Sequence, residues 1–152
     1  LLHQYDWLLW LDTDTLIMHQ TRRLEEWVNV SPETHFIFSH CVAMPINSGV
    51  WFVRSGEVAQ QRLSEWWTGP EEPPNKLPTG CFWEQWAVNQ LYKPEESIIR
   101  DDLSGIIRFS SRHARNLFYT PGKHWIAHFA GCQKYGRSIR EMMASYIPRI
   151  KR

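Results

Sequence analysis

The stretch LLWLDTDTLI, residues 8–17, constrains the chain more than any other. An apolar run carries two aspartates one residue apart and then turns apolar again, so burying the run brings Asp12 and Asp14 to the edge of a core. Side chains at i and i+2 of an extended segment point to the same side. The two carboxylates are therefore expected together at the end of a buried strand, where like charges repel unless a cation sits between them. Hard divalent ions with oxygen ligands, Mg²⁺ or Mn²⁺, meet that need. The plainer alternative is that Asp14 caps the next turn while Asp12 is solvated.

The surrounding pattern is α/β. Strands are expected at 6–12, at 35–40 (HFIFSH) and at 49–53 (GVWFV), all short, aliphatic and rich in aromatics. TRRLEEWV between them predicts one or two helical turns. A firmer helix is expected over 55–67, where Ala59, Leu63, Trp66 and Trp67 recur at i, i+4, i+7 and i+8, with Gly69 ending it. A second helix is expected over 82–91, followed by weaker strands at SIIR and GIIRF. Ile139, Met142, Met143, Tyr146 and Ile147 form a last amphipathic stripe, which suits core or partner contact. The segment 69–80 holds four prolines and two glycines in twelve residues and is expected to be a surface loop, either a connector or a lid near the mouth of a cleft.

Composition narrows the function classes. The chain has 152 residues, 43% of them apolar, enough for one core and a single domain. A net charge of +1 gives no field that points to nucleic acid or an anionic membrane. Three separated cysteines, Cys41, Cys81 and Cys132, form no CxxC pair and leave zinc frameworks and the redox compartment without support. No apolar run reaches the roughly 20 residues of a membrane helix. Nine tryptophans suit both cores and sugar-binding surfaces.

Two further segments bear on the aspartates. PINSGVWFVRSGE, 45–57, sets Asn47 and Gly49 ahead of an apolar strand ending in Arg54. HWIAHFAGC, 124–132, sets His128 among aromatic and small residues. Such a histidine is commonly part of a core, but an imidazole is also the third ligand that a two-carboxylate Mn²⁺ site lacks.

In this order, LDTD, NSGVWFVR, WEQWA and HFAGC resemble the metal-dependent GT-A glycosyltransferases, most closely glycosyltransferase family 34 with its galactosyl-, mannosyl- and xylosyltransferases. The blocks lie between residues 6 and 132. The resemblance implies a GT-A-like, Rossmann-like domain. It implies that Asp12 and Asp14 form the DxD motif that binds a metal holding the diphosphate of a nucleotide sugar, with His128 as the remaining protein ligand. Asn47 and Gly49 correspond to a turn beside the donor sugar. Glu84 and Gln85 correspond to an acid on the sugar hydroxyls and a carboxamide near the anomeric carbon. A lysine usually follows the GC of the last block to reach a phosphate; here Gln133 stands there and Lys134, one later, is assigned that contact.

The implied reaction passes a hexosyl or pentosyl group to a glycan hydroxyl with retention, in the Golgi lumen if the source is eukaryotic, with any membrane attachment lying outside this chain. GT-A domains bind the nucleotide base with elements ahead of the DxD, and eleven residues precede Asp12 here, so the domain is expected to be partial. Two rivals stay open. LLWLDTDT also fits the DxDxT of haloacid-dehalogenase-type phosphohydrolases, with Lys93 and the pair Asp101 and Asp102 as their later groups, and a non-catalytic carbohydrate-binding relative fits the altered lysine block.

Overall fold

The computed structural model describes residues 2–41, 44–69, 83–107, 119–130 and 138–151. The loop expected at 69–80 lies outside these beyond Gly69, as do Cys81, Cys132, Gln133 and Lys134.

Two small sheets carry the fold. The first contains β1 (Trp7–Leu11), β3 (Phe36–His40), β4 (Ile46–Arg54) and β5 (Ser97–Arg100), in the order β1-β4-β3-β5. The second contains β2 (Thr15–Ile17), β6 (Ser104–Ile106) and β7 (Ile126–His128), in the order β2-β7-β6. Four α-helices accompany them in the described residues: α1 (Glu25–Val28), α2 (Glu57–Thr68), α3 (Trp83–Gln90) and α4 (Ile139–Tyr146). Both sheets mix orientations: β4 is antiparallel to β1 and β3, β5 is parallel to β3, and β7 is antiparallel to β2 and parallel to β6.

Strand alternation divides the core. Phe36, Phe38 and Val53 face one side of the first sheet and pack with Ala59 and Trp66 of α2 and Val88 of α3. Ile37, Val50 and Phe52 face the other side and meet Leu103, Trp125 and Ile126, so this cluster joins the two sheets. The far side of the second sheet, with Ala127 and neighbouring Phe129, is covered by Met142 of α4. Ser138 caps α4 by accepting the Glu141 N–H at 3.1 Å, which satisfies one of the free donors of its first turn.

The chain passes from the first sheet to the second twice, between β1 and β2 and between β5 and β6. The first passage is a turn containing Asp12 and Asp14, and it places them at the junction of the sheets.

Several sequence expectations are corrected. The strand GVWFV extends back to Ile46, and GIIRF contributes only its first two residues to Ser104–Ile106. The three-residue strands β2 and β7 had no periodicity long enough to announce them. Trp67, counted in the apolar stripe of α2, is 89% exposed, because the helix turns Ala59 and Trp66 inward. Gly69 ends α2 at φ 73°, a backbone conformation that suits glycine. No helix among the described residues is long and apolar enough to cross a membrane.

Candidate metal centre

The aspartates converge through a turn, not through strand alternation. β1 ends at Leu11, and the Thr15 hydroxyl bonds back to the Asp12 carbonyl at 2.8 Å, which closes the turn. On one side the Asp12 N–H donates to the Gly49 carbonyl at 2.8 Å; on the other the Phe129 N–H donates to the Asp14 carbonyl at 2.9 Å. The segment is thus tied to β4 and to the end of β7 at the same time. Backbone bonds of this kind fix side chains that would otherwise repel one another.

His128 reaches the same point from β7, the middle strand of its sheet, paired with Thr15 on one side and Ile106 on the other. Its Nε2 lies 3.2 Å from Asp14 Oδ1 and 3.7 Å from Asp12 Oδ2. One ligand atom from each of the three residues falls within 4.8 Å of the others. That spacing suits ligands held roughly 2.0–2.3 Å from one shared ion. Among the described residues this is the group of acidic, histidine or cysteine side chains that could hold a metal.

The electrostatics agree with cation binding. The bond from His128 holds the Asp14 carboxyl below its usual range against the opposing effect of burial, so it stays ionised at neutral pH. The Asp12 side chain is the most open of the three, at 43% against 20% for Asp14 and 4% for His128. Three protein ligands would leave coordination positions for other groups on an ion held there.

Gly49 forms a wall of the site. Phe38 pairs with Trp51 and Ser39 with Asn47, so Ser48, Gly49 and Val50 bulge out of the β3–β4 ladder. The buried Asn47 side chain accepts the Gly49 N–H at 2.8 Å and shapes the bulge from within. A Cβ on Gly49 would lie 2.3 Å from His128 Cε1 and 2.7 Å from Asp12 Oδ2, a space only glycine leaves empty.

The remaining sequence candidates lie on α3. Gln85 is buried, and its amide donates to the Cys41 thiol at 3.4 Å; Glu84, one residue earlier, is exposed. Lys134 lies outside the described residues. Two supporting residues escaped the sequence reading. Asn89 clamps α3 to β4, its Oδ1 accepting from the Ile46 N–H at 2.9 Å and its Nδ2 donating to the Ile46 carbonyl at 3.0 Å. Trp10 bonds Asp12 from the side away from His128. Its position two residues before Asp12 was the available signal, since i and i+2 share a face.

The two later aspartates that the phosphohydrolase reading requires are engaged elsewhere. Asp101 pairs with Lys123 at 3.0 Å and Asp102 with Arg100 at 3.0 Å. β1, the strand leading into the motif, is an edge strand paired antiparallel to β4.

Neither a protein-family model nor a curated protein sequence matches the chain. In structure it is similar to a glycosyltransferase involved in the glycosylation of the major capsid of PBCV-1, with a TM-score of 0.63 at 21% identity. The likeness covers 92% of this chain and 65% of that one, so the chain spans less than two thirds of that protein's length. At this identity the likeness establishes a shared fold and nothing beyond it.

Proposed function

We propose that the chain is a glycosyltransferase domain that uses a divalent metal, Mn²⁺ or Mg²⁺, to move a hexosyl or pentosyl group from a nucleotide-diphosphate sugar to a glycan hydroxyl. The observation that carries the reading is the convergence of Asp12, Asp14 and His128 from two separate segments onto one point. The shared fold and the order of the four sequence blocks agree with it.

The chemistry needs charge control at two places. Departure of a diphosphate builds negative charge on the leaving oxygen while positive charge grows on the sugar ring. A divalent ion held by the three side chains would supply Lewis-acid stabilisation of the leaving oxygen. Asp12 and Asp14 would supply the anionic charge that binds the ion, and His128 a ring nitrogen as the third ligand. Their attachment to β4 and β7 preorganises them, so no reorganisation is needed as charge develops. Gly49 keeps the backbone of β4 close enough to wall the site without displacing its ligands. Glu84 and Gln85 are assigned to the sugar side and Lys134 to a phosphate on the strength of the sequence resemblance. Retention of anomeric configuration rests on the same resemblance.

The test is Mn²⁺ titration of the full-length protein combined with a panel of nucleotide sugars, with release of nucleoside diphosphate followed by mass spectrometry. Expected are tight Mn²⁺ binding, metal-dependent sugar transfer or donor hydrolysis, and loss of both in Asp14→Ala. Phosphate release from an aryl phosphate through a phosphorylated Asp12 would instead establish the phosphohydrolase reading. Sugar binding with no turnover of any donor would establish the non-catalytic one.

A further inference from the structure

We propose that Trp10 is a positioning residue for the metal centre: its indole N–H holds one oxygen of Asp12 so that the other faces His128 and the ion. The inference rests on the metal reading above and deepens it.

The geometry is specific to the two carboxylate oxygens. Trp10 Nε1 donates to Asp12 Oδ1 at 3.1 Å. Oδ2 is the oxygen that lies 3.7 Å from His128 Nε2 and that a Cβ on Gly49 would strike. The N–H therefore occupies the oxygen turned away from the centre and fixes the plane of the carboxylate. Asp12 needs such a partner more than Asp14 does. Asp14 is directly bonded by His128 at 3.2 Å, whereas the Asp12 side chain is twice as exposed and otherwise free to swing toward water. Outer groups that orient metal ligands commonly do so through this kind of bond.

The indole is itself anchored. Trp10 is the cross-strand partner of Trp51, and the rings stack with centroids 6.1 Å apart at 25°. Trp51 in turn meets the buried Trp66 edge-on at 6.0 Å. A line of three tryptophans thus runs from the core to the carboxylate. Burial does not account for Trp10, because it is 54% exposed and a smaller or polar residue would serve the core equally well. Its single donor is spent on Asp12.

The experiment compares Mn²⁺ affinity, read from the electron paramagnetic resonance of free Mn²⁺, in the wild type, Trp10→Phe, Trp10→His, Trp67→Phe and Asp14→Ala. Phe keeps a ring for the stack on Trp51 and removes the donor. His keeps a ring N–H at the place of the indole nitrogen. Trp67→Phe alters a still more exposed indole, on α2.

Expected is a loss of roughly 10-fold in Trp10→Phe, the low end of what outer partners contribute, because water replaces the bond at an open carboxylate. Trp10→His should recover part of that loss, Trp67→Phe should bind like the wild type, and Asp14→Ala should not bind. Melting temperature in the absence of metal, measured in parallel, should be unchanged in Trp10→His relative to Trp10→Phe, so that recovery of affinity is separated from recovery of stability. Wild-type affinity in Trp10→Phe, or an equal loss in Phe and His, would overturn the role of Trp10 while leaving the metal reading intact. Failure of the wild-type chain to bind Mn²⁺ would overturn both.

Discussion

Replacing Gly49 by alanine adds one methyl group at the tightest place in the site. The new carbon would lie 2.3 Å from His128 Cε1, 3.0 Å from His128 Nε2 and 2.7 Å from Asp12 Oδ2. Carbon–carbon contacts are most favourable at about 3.5–4.0 Å, so the overlap with the ring exceeds about 1 Å. His128 is poorly placed to retreat. Its side chain is 4% exposed, its strand is paired on both sides, and its carbonyl accepts the Ile107 N–H at 2.7 Å. Asp12 is the freer partner, but moving it breaks the bond from Trp10. Overpacking of this kind costs about 1–3 kcal/mol. At this chain length each kcal/mol lowers the melting temperature by roughly 2–4 °C, which gives a drop of about 2–12 °C. Mn²⁺ affinity should fall by about 10-fold or more, since a displacement costing about 1.4 kcal/mol at the ligands is already tenfold. Circular-dichroism melting and Mn²⁺ titration measure the two effects, with Ser48→Ala, which adds no atoms at the neighbouring bulge position, as the reference. A Gly49→Ala protein with the melting temperature and Mn²⁺ affinity of the wild type would refute the claim that β4 walls the site.

Mn²⁺ at about 100 times its dissociation constant should stabilise the fold by about 2.7 kcal/mol, reversed by chelator and absent in Asp14→Ala, as thermal melting can show. Asn89→Ala should destabilise by about 1–3 kcal/mol, because the N–H and carbonyl of Ile46 and the carbonyl of Gln85 each lose a partner, and denaturant titration measures it. His124 gives a pH signature. Burial, with a smaller effect from Lys123, holds its imidazole below the usual 6.5, so the unfolded chain binds the proton more readily. The stability present above that value is lost as pH falls below it toward the folded value, by up to about 1.4 kcal/mol per pH unit. Asn at position 124 can still accept the Thr120 N–H that His124 Nδ1 accepts at 2.8 Å, and cannot take up a proton. Urea titrations of His124→Asn between neutral pH and the acid limb should therefore show a flatter pH dependence than the wild type, and identical slopes would count against the assignment.

The long elements were legible in the sequence because their patterns repeat. Ala59, Leu63 and Trp66 mark the buried side of α2, alternation marks the strands around Phe36 and Phe52, and the aspartate pair between apolar runs marks a charged point at the edge of a core. His128 was legible as a candidate ligand by its chemistry. What periodicity could not carry was anything three residues long or anything made by contact across the chain. β2 and β7 exist because they pair with each other, and that pairing sets Thr15 opposite His128 and so brings the histidine to Asp14. The same limit explains Trp67, which obeys the helical stripe and yet lies in solvent, because α2 turns Ala59, Leu63 and Trp66 into the core. Residue types and local spacing determined which groups could hold an ion. The pairing of β2 with β7 and the bulge of β4 at Gly49 decided that they meet, since convergence of Asp12, Asp14 and His128 depends on backbone hydrogen bonds between segments more than a hundred residues apart.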